Sequence, residues 1–499
     1  MRKIMEPQMK IGEVSISAIK FDLQSRDEIP KMLMGLQHIH CTPGLRGKVF
    51  KILKDIVPEE TDLDNGRPGM NLWKILVFGV IRLGCNWDYD KLQEIANNHK
   101  TLRQMLGHGI FDEGYRYALQ TLKDNVSLMA PKVLNKIEQI VVKAGYKLLG
   151  KEQKDLKGRC DSFVVETDVH YPTDINLLFD AIGKVINLTT LLCDALGIPG
   201  WRQSQYNTGK IKKLFRRAQN LKHSNSKDEK KKAKRAELII EAHQVYIDLV
   251  ESFLEKVKQT IKTLRENPLV QEEALQEIEK YMRHGQRQID QIRTRVIQGE
   301  NIPHYKKVFS IFEEHTEWIC KGKAGISQEL GIRVCILHDQ YGFILNHMVM
   351  EQQTDDKVPV IMVQEAKAKF PKLNSCSFDK GFYSPTNKEE LKKLLTKVIL
   401  PKKGKLSSKD KEEEYSEEFI QGRRKHSAVE SSINALENHG LDRCPDHGIV
   451  GFKRYVALAV LARNIQILGN IVQQKALKRL KRRERLKRIK ELEKYRPAV

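Results

Sequence analysis

The feature that most constrains the fold is the stretch 375–401, in which strand and helix patterns alternate. Its first residues, 375–378, form a short, partly apolar run that predicts a strand, and Asp379 closes that run before a Lys-Gly turn. A helix capped by Thr386 follows, and the apolar run 398–400 predicts another strand. An Asp before such a turn is more often a turn former than a ligand, so its meaning depends on the rest of the chain.

Strand patterns recur at two earlier places. The run 160–174 is rich in Val, Phe and Tyr and predicts one strand that turns at Pro172 and enters a helix. The runs 332–337 and 343–349 flank Asp-Gln-Tyr-Gly, which predicts a hairpin. The intervening residues show helical periodicity. The predicted fold class is therefore α/β, a mixed sheet with flanking helices, to which an all-α N-terminal module and a helical insertion are added.

This pattern predicts five regions along the 499 residues. They are an N-terminal helical region (1–65), a helical module that is a candidate for DNA binding (66–150), a split domain that contains the strand patterns (158–200 and 306–470), a basic helical insertion (201–305) and a basic C-terminal helix (471–499). Within the second region, the short helix 99–106 carries basic residues and fits either a DNA recognition helix or one member of a plain helical bundle.

The charge balance favours a polyanionic partner. Lys and Arg number 87 against 64 Asp and Glu, which gives a net charge of +23, and nucleic acid is the leading candidate. The charge run 227–235 fits either phosphate contact or a solvated face, and the C-terminal helix fits duplex binding or self-association. The apolar runs are shorter than a membrane span, the N-terminus lacks a signal segment and the cysteines are scattered, so we expect a cytoplasmic protein without a membrane partner.

Acidic residues are the candidates for chemistry. Four of them, Asp161, Glu166, Asp168 and Asp174, fall within the run 160–174, and periodicity alone does not choose among them.

The helical segment 423–440 offers one further acid. Val429, Ile433 and Leu436 mark its inward face, and Glu430 lies at the edge of that face.

Three segments carry a resemblance to a known family: DSFVVETDVHYPTD (161–174), FDKGFY (378–383) and RRKHSAVESSINALENH (423–439). They resemble, in order, the signature segments of DDE-type bacterial insertion-sequence transposases, and the chain is similar to the ISNCY-like group. The resemblance implies a ribonuclease-H-like catalytic domain in which Asp161, Asp379 and Glu430 are the catalytic residues and metal ligands. It also implies Mg²⁺ as cofactor, for which Mn²⁺ can substitute, because hard cations prefer carboxylate oxygens.

The same resemblance implies the partners. They are double-stranded DNA, at the element ends and at the target, and a second copy of the chain in a homodimeric DNA complex, in the bacterial cytoplasm at the nucleoid. The expected DNA-binding residues are basic and lie near the acids: Lys380, Arg423, Arg424, Lys425, His426 and Arg443. Related enzymes often have a Lys where this chain has Glu437, and Arg443 or His439 could replace that contact.

Two other functions use the same features. A ribonuclease-H-like nuclease without strand transfer would need the same acids, and a catalytically inactive derivative would bind DNA only. Two aromatic residues, Trp318 and Tyr383, could stack on an unpaired base, although core packing is the commoner role. The His and Cys groups at 38–41 and 439–447 lack the paired spacing of a zinc site.

Overall fold

The computed structural model describes residues 2–5, 8–57, 68–152, 154–320 and 328–494. The chain forms two compact units, one comprising Met1–Asp168 with Ile319–Val499 and the other Val169–Trp318. The helical insertion therefore begins before residue 201, because the helix that follows the first strand belongs to the second unit. The boundary expected at residues 65–66 lies outside the described residues.

Helices form the first part of the larger unit. In chain order they are α1 (Glu28–Cys41), α2 (Pro43–Leu53), α3 (Leu72–Gly84), α4 (Tyr89–Asn98), α5 (Lys100–Met105), α6 (Leu119–Val126) and α7 (Pro131–Leu149), and the strand β1 (Leu156–Thr167) follows. Local sequence explains several of these ends: Asp27 and Asp88 cap α1 and α4 through backbone N–H groups, and Gly150 ends α7 in the left-handed conformation.

The smaller unit is a helical bundle. Its helices are α8 (Asp174–Leu196), α9 (Ser204–Asn220), α10 (Glu229–Arg265) and α11 (Glu272–Ile292), and a π-helical turn, Arg293–Ile297, continues the last of them. A single apolar core holds the four helices together. It includes Leu178, Tyr246, Val250 and Ile289. The helical insertion predicted from periodicity is confirmed as a set of helices, with α8 added to it.

The remaining elements return to the larger unit. They are β2 (Glu317–Cys320), β3 (Gln328–His338), β4 (Ile344–Met350), α12 (Pro359–Lys369), β5 (Leu373–Phe378), α13 (Pro385–Leu394), β6 (Lys397–Ile399), α14 (Ser408–Glu414), α15 (Glu417–His426), α16 (Ala428–Leu436), β7 (Arg443–Cys444) and α17 (Gly448–Lys494). The predicted hairpin and the predicted strand-helix-strand segment are both present. The cap of α13 was wrong: Ser384, not Thr386, accepts the N–H of Asn387, because Pro385 starts the helix one residue before Thr386.

The seven strands form one mixed sheet, with the order β2-β3-β1-β5-β6 and with β4 paired to β3 and β7 to β1. β1 is antiparallel to β3, which is antiparallel to β4, whereas β5 and β7 run parallel to β1 and β6 runs parallel to β5. The predicted α/β class with a mixed, helix-flanked sheet is confirmed. β1 lies in the middle of the sheet: β3 pairs along one side of it, and on the other side β5 pairs with residues 156–160 and β7 with residues 166–167.

The two faces of β1 pack into different cores. Phe163 and Val165 face the core that contains α3 and α17, whereas Cys160 faces the core that contains α12. This alternation follows from the two-residue period of a strand. Asp161 lies two residues before Phe163, and therefore on the same face of β1 as Phe163 and Val165.

The helix α17 is the centre of the larger unit's helical layer. Its residues 455–462 are all nearly inaccessible to solvent, and it packs against α1, α3 and α7. A separate C-terminal helix was expected at 471–499, but residues 471–494 are the continuation of this one long helix, and residues 495–499 lie outside the described residues. The N-terminal helices share a core with α17 and with the sheet, so they form no separate module among the described residues.

Among the described residues, two helices are long and apolar enough to cross a membrane by length and composition, α8 and α17. In α17 the most apolar window is 72% buried inside the protein, and in α8 it is 39% buried. Core helices of globular proteins meet the same criterion, so the expectation of no membrane partner stays a prediction.

Candidate active site

Asp161 and Asp379 are brought together by the register of two parallel strands. Cys160 on β1 lies opposite Phe378 on β5, so the next residues along the two strands, Asp161 and Asp379, are neighbours at the end of the pair. Neighbouring strands are about 4.8 Å apart. Asp379 is exposed and begins the 3₁₀ turn Lys380–Phe382, whereas Asp161 is half-buried and accepts the N–H of Ser162 at 2.8 Å.

Two serine–histidine hydrogen bonds place α15 and α16 on the sheet. Nδ1 of His426, at the end of α15, lies 3.0 Å from Oγ of Ser377 on β5. Oγ of Ser432, on α16, lies 3.1 Å from Nδ1 of His338 on β3. These contacts hold the start of α16 over the centre of the sheet, and Glu430 lies in the first turn of that helix.

The pKa of Asp161 reports on its surroundings. Burial, together with the negative charges of Asp379, Asp355 and Glu430, raises the pKa of Asp161 to about 7, and the hydrogen bond from the N–H of Ser162 opposes the rise. Asp379 and Glu430, the other two acids named by the resemblance, therefore lie within electrostatic range of Asp161. A carboxyl group surrounded by other carboxylates is a place where a cation would be stabilised.

Asp355 is a fourth acid of the site, which the sequence analysis missed. It begins the 3₁₀ turn Asp355–Lys357 after β4, and its Oδ1 accepts the hydroxyl of Ser162 at 2.6 Å. Its Oδ2 lies 3.2 Å from the place where a Cβ on Gly381 would be. The sequence did contain a signal for this residue. Asp355 follows the predicted strand 343–349 at a short distance, just as Asp379 follows the strand β5.

The basic residues expected to bind DNA divide into two groups. Lys380, Arg423, Arg424 and Lys425 are exposed beside the acids, the last three in the final turn of α15. His426 is half-buried against Ser377, and burial lowers its pKa, with the charge of Arg159 adding to the effect while Asp379 and Glu430 oppose it. The imidazole therefore positions α15, and its role as a DNA contact stays a prediction.

Arg443 and His439, which were suggested to replace the missing Lys, both contact other residues of the chain. Arg443 is exposed but contacts two acids, with Nη2 3.2 Å from Glu166 and Nη1 3.6 Å from Asp168. His439 is only 4% exposed and contacts the carbonyl of Leu83 and the amide oxygen of Gln466. Burial inside the core makes the suggestion of His439 as a DNA contact wrong.

The other acids of the run 160–174 lie away from this arrangement. Glu166 and Asp168 contact Arg443, as described, and Asp174 lies in the smaller unit, where its Oδ2 is 2.6 Å from Arg295. Of the four acids, Asp161 is the one that lies beside Asp379, and its catalytic role stays a prediction.

The two aromatic residues considered for base stacking are packed against other aromatic rings or the core. Trp318 lies 5.6 Å, centroid to centroid, from both Tyr171 and Phe309 in the smaller unit. Tyr383 is half-buried against the core that contains Phe382. Packing accounts for both.

The helix expected to recognise DNA is short. α5 has six residues, and the guanidinium of Arg103 donates to the carbonyls of Asn97, Asp112 and Tyr115. Arg103 thus stabilises the loop that follows α5. Of the two basic residues of α5, Lys100 is the one that is exposed.

No family model, curated protein or solved structure matches the chain.

The side chains of the site determine whether it could hold a metal ion. Within the described ranges, no three His, Cys, Asp or Glu side chains are gathered closely enough to hold one metal ion. The donors nevertheless fit a hard divalent cation in kind, because Asp161, Asp379, Asp355 and Glu430 all offer carboxylate oxygens. Burial is the main cause of the raised pKa of Asp161, and the negative charges of Asp379, Asp355 and Glu430 add to it. Binding of a cation would require side-chain movements that bring the carboxylates closer together.

Proposed function

We propose that the chain is a DNA transposase that cuts DNA at the ends of a mobile element in a metal-dependent reaction and transfers the 3′-hydroxyl end to target DNA. One observation carries the proposal. Asp161, Asp379 and Glu430 come from segments more than 50 residues apart, and the fold places Asp379 and Glu430 within electrostatic range of Asp161, at the point where the pairing of β1 with β5 ends.

The sheet supports a ribonuclease-H-like fold for the larger unit. Three antiparallel strands, β1, β3 and β4, are followed by β5 and β6, which run parallel to β1. The acids lie on β1, just after β5 and on a helix that packs on the sheet. This is the arrangement that the resemblance of the three segments leads one to expect.

The chemistry follows from the donors. Divalent cations held by Asp161, Asp379 and Glu430 would supply activation of the attacking oxygen and stabilisation of the leaving oxygen in an in-line phosphodiester displacement. The chain's own part is to place the DNA. Exposed Arg423, Arg424 and Lys425 can hold the scissile strand through its phosphates, since charge-assisted hydrogen bonds to phosphate are strong and directional.

The test is a reaction of the purified full-length protein with labelled DNA from just outside its own gene, with and without Mg²⁺. Nicking at a defined end, followed by joining to a second duplex, is expected for the parent and not for Asp161→Asn, Asp379→Asn or Glu430→Gln. Asp168→Asn is the matched control, because Asp168 lies just after the same strand but contacts Arg443. This variant should cut like the parent.

The other outcomes decide between the alternatives. Nicking without joining would show that the protein is a nuclease and not a transposase. If the three variants cut as well as the parent, the carboxylate site is wrong. Binding of DNA without cutting, under all conditions, would leave a DNA-binding protein without catalytic activity.

A further inference from the structure

The smaller unit contains a groove that the proposed reaction does not use. The groove has a volume of about 800 Å³ and lies between the second half of α11 and the segment 300–307. The segment is attached to the helix by a hydrogen bond from Nε2 of Gln291 to the carbonyl of Lys306, at 3.0 Å. Gln291 is 7% exposed, so this attachment belongs to the folded core and fixes both walls of the groove.

Four cations line the groove. Arg283 and Arg287 lie four residues apart, on one face of α11, and Lys306 and Lys307 lie on the opposite wall. Across the described part of the chain, none of the four forms an ion pair with a carboxylate. Their charge is therefore not compensated by an ion pair with any residue that the structure describes.

Other cations on and beside α11 behave differently. Arg265 contacts both Glu272 and Glu279, at 3.0 and 2.9 Å, and Lys280 contacts Glu314 at 2.6 Å. Carboxylates are thus plentiful in the same unit, and they pair with neighbouring cations. The lack of such partners in the groove is a local property and does not reflect a general shortage of acids.

Two acids also line the groove, Asp290 and Glu300. Oδ1 of Asp290 accepts the side-chain N–H of Gln286 at 3.1 Å. With four cations against two acids, the lining has an excess of positive charge, and an anion of extended shape would be attracted to it.

The groove also presents an aromatic ring. Tyr305 lies between Pro303 and Lys306 on the loop wall and is 82% exposed. An exposed ring beside cations is the combination that binds single-stranded nucleic acid, since the cations contact phosphates and the ring stacks on a base. The paired bases of a duplex could not reach such a ring.

We propose that this groove binds an unpaired segment of DNA, with its phosphates against Arg283, Arg287, Lys306 and Lys307 and one base stacked on Tyr305. The choice of DNA as the polyanion rests on the proposed function. The anionic character of the ligand and the stacked base rest on the groove alone.

The experiment measures binding of a fluorescent single-stranded oligonucleotide and of a duplex to the full-length protein, in EDTA, over a range of salt concentrations. Arg283→Gln with Arg287→Gln should weaken single-strand binding and reduce the slope of log Kd against log salt by about 1.4, at about 0.7 for each phosphate that is no longer neutralised. Tyr305→Ala should weaken single-strand binding by about tenfold and leave duplex binding unchanged, whereas Tyr305→Phe should bind like the parent.

A matched control removes the same charge from the same unit. Lys212 and Arg216 are exposed on α9, four residues apart and outside the groove. Lys212→Gln with Arg216→Gln should leave the salt slope for the single strand at the parent value. If this control and the groove variant reduce the slope equally, the effect is one of general charge and the proposal is overturned.

A second measurement locates the base. An oligonucleotide containing bromodeoxyuridine should form its photochemical cross-link at Tyr305, in the parent protein, and cross-linking in the larger unit alone would overturn the proposal. Because no metal is present, the result is independent of cutting. Single-strand binding in the groove without any cutting of DNA would support the groove as a binding site and contradict the proposed reaction. Cutting by groove variants that still bind single strands normally would support the reaction and overturn the groove as a binding site.

Discussion

At the scale of single residues, Asp355 is the acid whose role is most open to experiment. It accepts the Ser162 hydroxyl and lies against Gly381, in the turn that follows Asp379. Replacing Asp355 with Ala should loosen that turn and lower the cutting rate by about 10–100-fold, as for other residues that orient metal ligands. DNA binding in EDTA should be unchanged.

The neighbouring acid provides the control for this prediction. Asp356 contacts Thr354 through its own carboxylate, and Asp356→Asn should cut at the parent rate. Equal losses in the two variants would show that general disturbance of the 3₁₀ turn, and not the position of Asp355, sets the rate.

Asp339 gives a prediction about pH. This carboxylate is inaccessible to solvent and accepts hydrogen bonds from the hydroxyl of Tyr146 and from the N–H groups of Tyr341 and Phe343. Burial raises its pKa to about 6 in spite of those bonds. Because the unfolded value is about 3.9, the folded protein binds the extra proton between about pH 4 and 6, and the stability that this group contributes is lost as the pH rises through that window.

The Asp339→Asn variant tests whether the contribution of Asp339 to stability falls as the pH rises. It keeps the acceptor oxygen but never ionises, so its free energy of unfolding, relative to the parent, should rise between pH 4 and pH 7 by an amount on the order of 2–3 kcal/mol. Urea unfolding at several pH values measures this difference. A difference independent of pH would show that Asp339 titrates alike in the folded and unfolded chains.

Local sequence patterns reveal the positions of the candidate acids but not their roles. They place Asp379 at a strand end and Glu430 at the edge of a helix face, and only the resemblance to a known family gives these two residues an expected role. Asp161 could not be separated from Asp168 by pattern, because only the pairing of β1 with β5 decides which acid has a partner. Likewise, nothing local shows that the His426 imidazole turns toward Ser377 or that His439 is enclosed in the core.

At the scale of elements, the crossing of α1 and α17 depends on two glycines. A Cβ on Gly469 would lie 1.9 Å from the carbonyl oxygen of Lys31, and one on Gly35 would lie 2.5 Å from the carbonyl oxygen of Ile465. The backbones of the two helices are thus closer than any side chain allows. Gly469→Ala should therefore force the helices apart and lower the free energy of unfolding by about 1–3 kcal/mol, as measured by chemical denaturation.

A glycine on α2 gives the opposite expectation. Gly47 lies inside that helix, and no atom lies within 4 Å of the place where its Cβ would be. Gly47→Ala should stabilise the protein by roughly 0.5–1 kcal/mol, since Ala is the better helix former. If Gly469→Ala also stabilised the protein, helix propensity would outweigh the close packing of α1 and α17.

The elements themselves were largely predictable, and their grouping was not. The hairpin of β3 and β4 and the strands on either side of α13 follow from two-residue alternation and turn residues. The length of α17 does not, because its apolar first half and basic second half look like two helices. The assignment of α8 to the smaller unit depends on contacts with α11, which lies about 100 residues later.

At the scale of the whole molecule, the positive charge is concentrated where packing ends. The last buried residue described on α17 is Gln473. Of the 22 residues after Leu477, eleven are Lys or Arg and three are Glu. A chain that ends at Leu477 should therefore unfold at nearly the parent free energy, within about 0.5 kcal/mol.

The same truncation should weaken DNA binding. Loss of these cations should raise Kd for duplex DNA and flatten its dependence on salt, because fewer counterions are released. Fluorescence anisotropy at several salt concentrations measures both quantities. Unchanged affinity, with an unchanged salt slope, would mean that the C-terminal part of α17 serves self-association instead, which sedimentation of the two chains would show.

The central place of α17 also has a consequence for biosynthesis. α1 and α3 bury their apolar faces against residues 455–468 of α17, which the ribosome reaches some 370 residues after it has completed α3. At about 5–20 residues per second, this interval lasts roughly 20–75 seconds. Throughout that time the nascent N-terminal helices present uncovered apolar surface, which makes them a target for chaperones. A message truncated before codon 455 would yield a chain that never covers it.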